Sequence, residues 1–419
     1  MRILLVNTSE TIGGAAIAAN RLLRALQGEG AEVQMLVRDK QTDNPAVLPL
    51  PHQRLMRLRF VAERLGIYCW NGLSRDGLWA IDSGSLGADI TRLPAFRNAD
   101  VVHLHWTNQG MLSLSDIRAI LRSGKPVVWT LHDMWPFTGT CHYAATCTKW
   151  TTGCHTCPKL HLSFAHDLSS RVWKKKMKVL REGRLAIVGC SNWITDLARQ
   201  SPFFEGRIVE SIPNALPTGF FAPQDRLAAR RRLGLPTDRR LVLFVAYKAT
   251  DPYKGIYLLK ESCSRLTDNV FLKNTAELVA VGKDAESLRG TFPLPVHTFN
   301  YISDPATMAA LYAAADVLVA PTLQDNLPNT IAEAMACGTP VVGFRVGGLP
   351  QMIDDGVNGR LVEPKDSAAL GDAIADVLTQ TRQQTLSDAA RAKALACYAE
   401  PAVAQRYLAL YERVISGKS

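Results

Sequence analysis

The chain has 419 residues and a mass of 46.0 kDa, with 47% hydrophobic and 21% charged residues and a formal net charge of +10. These proportions belong to a folded protein with a large core and exclude a disordered tail or a fibre; at roughly 100–200 residues per domain, two domains are expected. Met1-Arg2 runs into Ile-Leu-Leu-Val and then polar Asn7–Glu10, and no stretch reaches the roughly 18 consecutive apolar residues of a membrane span, so a cytoplasmic protein is expected. The charge is lopsided. Residues 1–220 hold 26 Lys/Arg against 17 Asp/Glu, and the remainder hold 22 against 21. A nucleic acid, a phospholipid surface or a phosphorylated small molecule would each suit the basic half, as would plain solvation.

In chain order, Arg2–Val6 reads as a strand, Thr8–Gly14 as a turn, Ala15–Leu26 as a helix and Glu32–Val37 as a second strand, which is a βαβ unit. Further strands are expected at Val101–His105, Val127–Leu131 and Ala186–Cys190, with helical patterns such as Leu114–Arg122 and Leu168–Arg184 between them. Ile212–Pro223 is turn-rich. After it the rhythm restarts, with strands at Leu241–Ala246, Glu277–Val281, Val296–Phe299, Val317–Ala320, Pro340–Phe344 and Gly359–Val362, and a final helix over Pro401–Ile415. Strands alternating with helices predict an α/β fold with parallel sheets covered on both faces. The expected division is 1–215, 223–398 and a terminal helix, 399–419.

Gly13-Gly14 stands between a strand and a helix, where missing side chains let a phosphate approach backbone N–H groups; equally it is a simple turn, and it is not the dinucleotide fingerprint G-x-G-x-x-G. His132-Asp133 ends a strand, at the edge where open α/β sheets bind ligands, or else caps the following turn. His103 and His105, alternating on a strand, read as structural residues bonded to backbone. Cys141, Cys147, Cys154 and Cys157, with spacing x5, x6 and x2, could bind a structural Zn²⁺, stay as free buried thiols or form disulfides; four thiolates would leave no open position for catalysis.

Lys248 and Lys254 follow the first strand of the second half, and two ammoniums there suit a diphosphate. In Pro321–Val342 a strand leads through Asp325 to a helix that begins near Asn329-Thr330 and carries Glu333. Its first N–H groups can hold a phosphate, and Glu333 can accept from vicinal hydroxyls such as those of ribose.

With Thr130-Leu131-His132-Asp133, Lys248…Lys254-Gly255, Asp325-x7-Glu333, Ala334–Val342 and Gly347-Gly348-Leu349-Pro350, the chain resembles retaining glycosyltransferases of family 4, a GT-B fold family, along essentially its whole length. The cysteine-rich segment is similar to that of the colanic-acid-type exopolysaccharide branch. The resemblance implies two Rossmann-like domains facing across a cleft, with the terminal helix crossing back to the first. It implies transfer of a hexose from a UDP- or GDP-linked donor, with retention, to a glycan or polyprenyl-diphosphate-linked acceptor, and no cofactor for catalysis. By position, Gly13 and Gly14 lie near the donor phosphates, His132 touches the transferred sugar and Lys248 and Lys254 grip the diphosphate. Asp325 faces the sugar hydroxyls and Glu333 the ribose. Lys248 stands where the family usually has Arg, losing a bidentate fork. Asn329 replaces a common Gly.

The basic stretches His52–Gly66 and Arg171–Arg184 read as amphipathic helices suited to anionic headgroups, with Lys174–Lys176 carrying charge, so peripheral contact with the inner face of the cytoplasmic membrane is expected beside the bland reading of a solvated face. Without a recognition motif, no nucleic acid is expected. Two other functions fit the same residues: a GT-B-fold nucleotide-sugar epimerase, and a non-catalytic nucleotide-sugar-binding subunit.

Overall fold

The computed structural model describes residues 1–379 and 383–417. It divides into two compact units, Met1–Asn214 with Val403–Ser419, and Ala215–Ala402. The boundary falls within the turn-rich segment Ile212–Pro223, which from Ala215 on is held by the second unit: Leu216 N–H donates to the Tyr398 carbonyl at 2.8 Å, and the Arg391 guanidinium bonds the carbonyls of Thr218, Phe221 and Ala336.

The first unit holds β1 (Arg2–Ser9), β2 (Glu32–Asp39), β3 (Val47–Pro49), β4 (Val101–Leu104), β5 (Val127–Leu131), β6 (Leu185–Gly189) and β7 (Val209–Ser211). They form one parallel sheet in the order β3-β2-β1-β4-β5-β6-β7. The second unit holds β8 (Arg240–Lys248), β9 (Ala276–Lys283), β10 (Val296–Phe299), β11 (Val317–Ala320), β12 (Val341–Phe344) and β13 (Gly359–Val362), parallel in the order β10-β9-β8-β11-β12-β13. Central strands such as β5 and β6 are buried at every residue, as a sheet covered on both faces demands. The short edge strands β3 and β7 escaped the sequence reading: each is only three residues long, β3 being Val-Leu-Pro and β7 Val-Glu-Ser.

In both sheets the strand order reverses once, between β1 and β4 and between β8 and β11, and the crevice outside the carboxyl ends at such a point is where open sheets take ligands. The opposite edge of the second sheet is a structural anchor. Asp316, 1% exposed, accepts from Leu241 N at 2.7 Å, pairs with Arg230 at 2.7 Å and with Arg226 at 3.0 Å. Arg230 is itself 3% exposed and also donates to the Ala314 carbonyl.

From Val403 on, the terminal helix Glu400–Ser416 is part of the first unit. It buries Val403, Tyr407, Leu410, Tyr411 and Val414, the spacing seen in the sequence. The helix Leu168–Leu180 buries Val172, Lys176, Val179 and Leu180, which corrects the expectation that Lys174–Lys176 form one charged patch. Lys176 Nζ bonds the Trp135 and Thr138 carbonyls and lies 3.6 Å from the centre of the Trp135 ring, and burial pushes its ammonium down to about 7.

Replacing Asp316 with Ala would leave Arg230 buried and unpaired, a loss of about 3–5 kcal/mol. Chemical denaturation should show the second unit unfolding at clearly lower denaturant while the first is unchanged; a shift equal to that of an exposed control such as Asp196→Ala would contradict this anchor.

Candidate functional site

The second unit's candidate residues follow the carboxyl ends of β8 and β11. Lys254 lies in a short 3₁₀ turn, Pro252–Lys254, that ends at Gly255 with φ 75°. A Cβ at Gly255 would sit 1.8 Å from the Pro321 carbonyl oxygen, so only glycine lets this turn press against the loop after β11. Leu323 N–H and Thr322 Oγ1 both donate to the Tyr253 carbonyl, closing the two loops on each other. The result is a 2.6 Å ion pair between Lys254 Nζ and Asp325 Oδ2, and the adjacent Asp325 charge holds the Lys254 ammonium above its usual range.

Asp325 is fixed in turn: its Oδ1 accepts from Asn326 N at 2.9 Å, and its carbonyl accepts from Gly348 N at 3.2 Å. The helix Asn329–Ala336 begins directly after, with Pro328 at its N-cap and no side-chain cap bond. Asn329 and Thr330 are its first two residues, half-buried, where the helix dipole favours an anion. Glu333 is buried and engaged with protein, its Oε2 accepting from Tyr312 Oη at 2.7 Å.

Lys248, at the end of β8, has its ammonium 3.5 Å from Asp284, both side chains being more than half exposed. A register irregularity between Val245 and Lys248 pairs it with Lys283 on β9. Beside it, at the ends of β9 and β10, opens a hollow of about 740 Å³ walled by Lys283, Asp284, Ala285, Glu286, Asn300 and Tyr301. Tyr247 and Tyr301 meet edge to face with centroids 5.2 Å apart, and Lys283 Nζ bonds Tyr247 Oη at 2.6 Å. The sequence reading missed these residues; their only signal was their place just beyond predicted strand ends.

In the first unit, Gly13 has φ 95° and precedes the helix Gly14–Gly28; no neighbouring atom lies within 4 Å of a Cβ built there, so its requirement is backbone conformation. His132 follows β5, and its Nε2 lies 3.0 Å from His105 Nδ1. His103 bonds Tyr411 Oη at 2.6 Å and Thr130 Oγ1 at 2.8 Å, and Thr130 bonds Tyr407 Oη at 2.9 Å. These partners are side chains, two of them on the terminal helix, not the backbone groups expected for His103. Burial pushes His103 down to about 3 and His132 to about 4, with His105 also well below its usual value, so all three imidazoles are neutral at pH 7.

Asp133 does the capping that the bland reading assigned to it, accepting from Trp135 N, Trp106 Nε1 and His142 Nδ1. Against burial, the His142 ring holds the Asp133 carboxyl low; against burial, Asp133 holds His142 high.

Cys141, Cys147, Cys154 and Cys157 line one small cavity of about 20 Å³ and all are free thiols. Gly139 N–H donates to Cys154 Sγ at 3.2 Å, and burial pushes Cys141 up to about 11 and Cys154 to about 12. Soft sulfur donors suit Zn²⁺. Their placement does not present a ready set: among the described residues no three His, Cys, Asp or Glu stand where they could hold a metal ion.

Residues 12–220 match the glycosyltransferase family 4 model, and residues 239–380 match the model of glycosyl transferases group 1. The chain belongs to the family 4/group 1 glycosyltransferases. D-inositol 3-phosphate glycosyltransferase from Mycolicibacterium smegmatis is 26% identical over 420 residues, covering 96% of this chain and 87% of that protein. Its counterpart from Geodermatophilus obscurus is 36% identical over 199 residues, and there the match spans only 42% of the relative's length. Both names specify an inositol phosphate acceptor, so these matches fall outside the exopolysaccharide branch suggested by the cysteine-rich segment. Sucrose-phosphate synthase from Thermosynechococcus elongatus has the same fold, at TM-score 0.67 and 19% identity over 99% of both chains. So does Anabaena Alr3699/HepE in complex with UDP-glucose, at TM-score 0.65 and 14% identity over 98% of this chain and 99% of that one. The GT-B architecture expected from the resemblance is thereby shown.

The neutral histidines give this family member a defined acid sensitivity. A base whose folded pKa lies below its unfolded value of about 6.5 contributes its full stability above that value and loses it as pH falls toward the folded pKa. His103 and His132 therefore each cost on the order of 1–2 kcal/mol by pH 5. The melting temperature of the first unit should drop steeply between pH 7 and 5, and His103→Gln should flatten that slope; an unchanged slope would show that the ring is charged in the fold.

Proposed function

We propose that this glycosyltransferase moves a hexose from a nucleoside-diphosphate sugar to a hydroxyl of a phosphate-bearing acceptor, with retention at the anomeric carbon. The observation that carries the reading is the Lys254–Asp325 pair, seated at the start of the helix Asn329–Ala336. Lys254 and the helix N-terminus stabilise charge developing on the departing diphosphate, which is catalysis by fixed donors. Lys248 is the looser, second cation, since it is exposed and shared with Asp284. Asp325 accepts from sugar hydroxyls and Glu333 from the ribose. The hollow beside Tyr301 has room for the base.

In the first unit the neutral His132 is the group offered to a sugar hydroxyl, and the Gly13-Gly14 turn offers N–H groups to an anion. Retention without a carboxylate nucleophile calls for same-face attack, with the leaving diphosphate taking the acceptor proton. The relatives' names favour an inositol phosphate as acceptor. The basic first unit supports equally a lipid-diphosphate-linked glycan.

Purified protein incubated with UDP- and GDP-hexoses and either acceptor should give a glycoside whose anomeric configuration, read by NMR, matches the donor. Lys254→Ala should lower kcat/KM by about 10²–10³ and Lys248→Ala by markedly less. Donor epimerisation without acceptor, or an active Lys254→Ala enzyme, would overturn the reading in favour of an epimerase or a binding subunit.

We also propose that the four cysteines turn inward to take up one structural Zn²⁺, a reading supported by their shared cavity and by the irregular loop they would staple. Metal analysis of protein purified without chelators should find about one Zn per chain, with the four thiols slow toward a thiol reagent. Metal-free protein with four freely titrating thiols would reject it.

A further inference from the structure

His132, half-buried at the end of β5, touches a side chain that the proposed reaction does not use. His105 follows β4 directly and is tied on both sides: its N–H donates to the Val6 carbonyl on β1 at 2.9 Å, and its carbonyl accepts from Trp129 Nε1 on β5 at 2.9 Å. The residue is 3% exposed. Its ring packs against His103, centroids 4.2 Å apart, and its Nδ1 lies 3.0 Å from His132 Nε2, those two rings being inclined by 23°. His103 is held at both ring nitrogens, by Tyr411 and Thr130, so the support of His105 is itself fixed.

The contact between His105 and His132 has a direction. A neutral imidazole carries one N–H and one lone pair, and burial keeps both rings neutral, so one nitrogen of the pair donates and the other accepts. The second nitrogen of His105, Nε2, is buried and has no hydrogen-bond partner among the described residues. A proton at Nε2 would be a buried donor with no acceptor, the rarer of the two ways to leave such an atom unpaired. A proton at Nδ1 instead makes the bond to His132. His132 Nε2 then accepts, which puts the single proton of that ring on Nδ1.

We infer that His105 is a positioning residue: by donating from Nδ1 it holds His132 as the Nδ1–H tautomer, so that His132 meets a substrate oxygen as a hydrogen-bond donor. A hydroxyl can donate or accept, and a ring that exchanges tautomers would receive it in either sense. The fixed ring admits the orientation in which the hydroxyl oxygen accepts and its proton is given elsewhere. The substrate half of this inference rests on the transferase reading. The tautomer does not, because every group that sets it belongs to the first unit.

Nitrogen-15 NMR of the full chain labelled at histidine reads the tautomers without substrate. At about pH 7 both His105 and His132 should show a protonated, pyrrole-type Nδ1 and a bare, pyridine-type Nε2. In His105→Leu the His132 signals should move toward the Nε2–H form, and kcat/KM should fall about five- to tenfold, the worth of one hydrogen bond. His105→Asn keeps an amide N–H on Cγ, where His carries Nδ1, and should restore both the tautomer and most of the rate. A wild-type His132 protonated at Nε2 would overturn the inference even if the leucine variant did not fold. So would His132 signals unchanged in His105→Leu, or a His105→Asn enzyme as slow as the leucine variant. The expected tautomer in a wild-type protein that glycosylates no acceptor would sink the transferase reading and leave the tautomer standing; a transferase whose rate is indifferent to His105→Leu would do the reverse.

Discussion

Parallel strands cannot be joined by a tight turn. Each must leave at its carboxyl end, cross over a face of the sheet, usually as a helix, and re-enter at the amino end. Everything placed at the candidate site follows from that constraint. Where the order reverses, at β1/β4 and β8/β11, the departing chains diverge to opposite faces and leave the strand ends uncovered. Gly13, Lys254 and Asp325 stand beyond such ends, and His132 beyond the end of β5, next to β4. The amino edge is instead closed by the Asp316–Arg230 anchor, whose charges serve the fold and face no solvent.

The polar groups beneath the first site are arranged to avoid charge. His103, His105 and His132 form a series of neighbouring rings, with His103 bonded to Tyr411 and Thr130 and Thr130 in turn to Tyr407, and an imidazolium there would be desolvated beside other rings. Two of those partners arrive from the other end of the sequence, with the terminal helix. That helix therefore supplies more than an apolar lid: it completes the hydrogen bonds of His103, without which a buried ring would be left unsatisfied.

How far the sequence reaches is set by the range of the interactions involved. The bounds of β5, β10, β11 and β13 were legible to the residue; for β5 and β11 the reason is that a buried parallel strand is a continuous apolar run bracketed by polar turns. The edge strands β3 and β7 were not, since a run of three residues carries too little pattern. Lys254 and Asp325 could be nominated from their motifs, but their 2.6 Å contact spans 71 residues and depends on Gly255 pressing against Pro321. Lys176 illustrates the opposite failure. In the run Lys174-Lys175-Lys176 composition suggests one patch, whereas the helical phase set by Leu168, Val172 and Val179 buries only the third.

The Lys254–Asp325 pair raises a question of economy that its geometry answers. A carboxylate beside a phosphate-binding lysine weakens the pull on an anion, and a bare cation would attract a diphosphate more strongly. The pair nevertheless keeps the ammonium charged and fixed before any ligand arrives, so no reorganisation is needed at the moment of reaction. Under the proposed reading it also couples two recognitions. A donor that offers phosphate oxygens to Lys254 and sugar hydroxyls to Asp325 gives both partners new bonds at once. A nucleoside diphosphate lacking the sugar competes for the lysine and gives the carboxylate nothing in return. Under that reading, the contact that orders the site would also discriminate, by that difference, between the sugar-bearing donor and the nucleoside diphosphate.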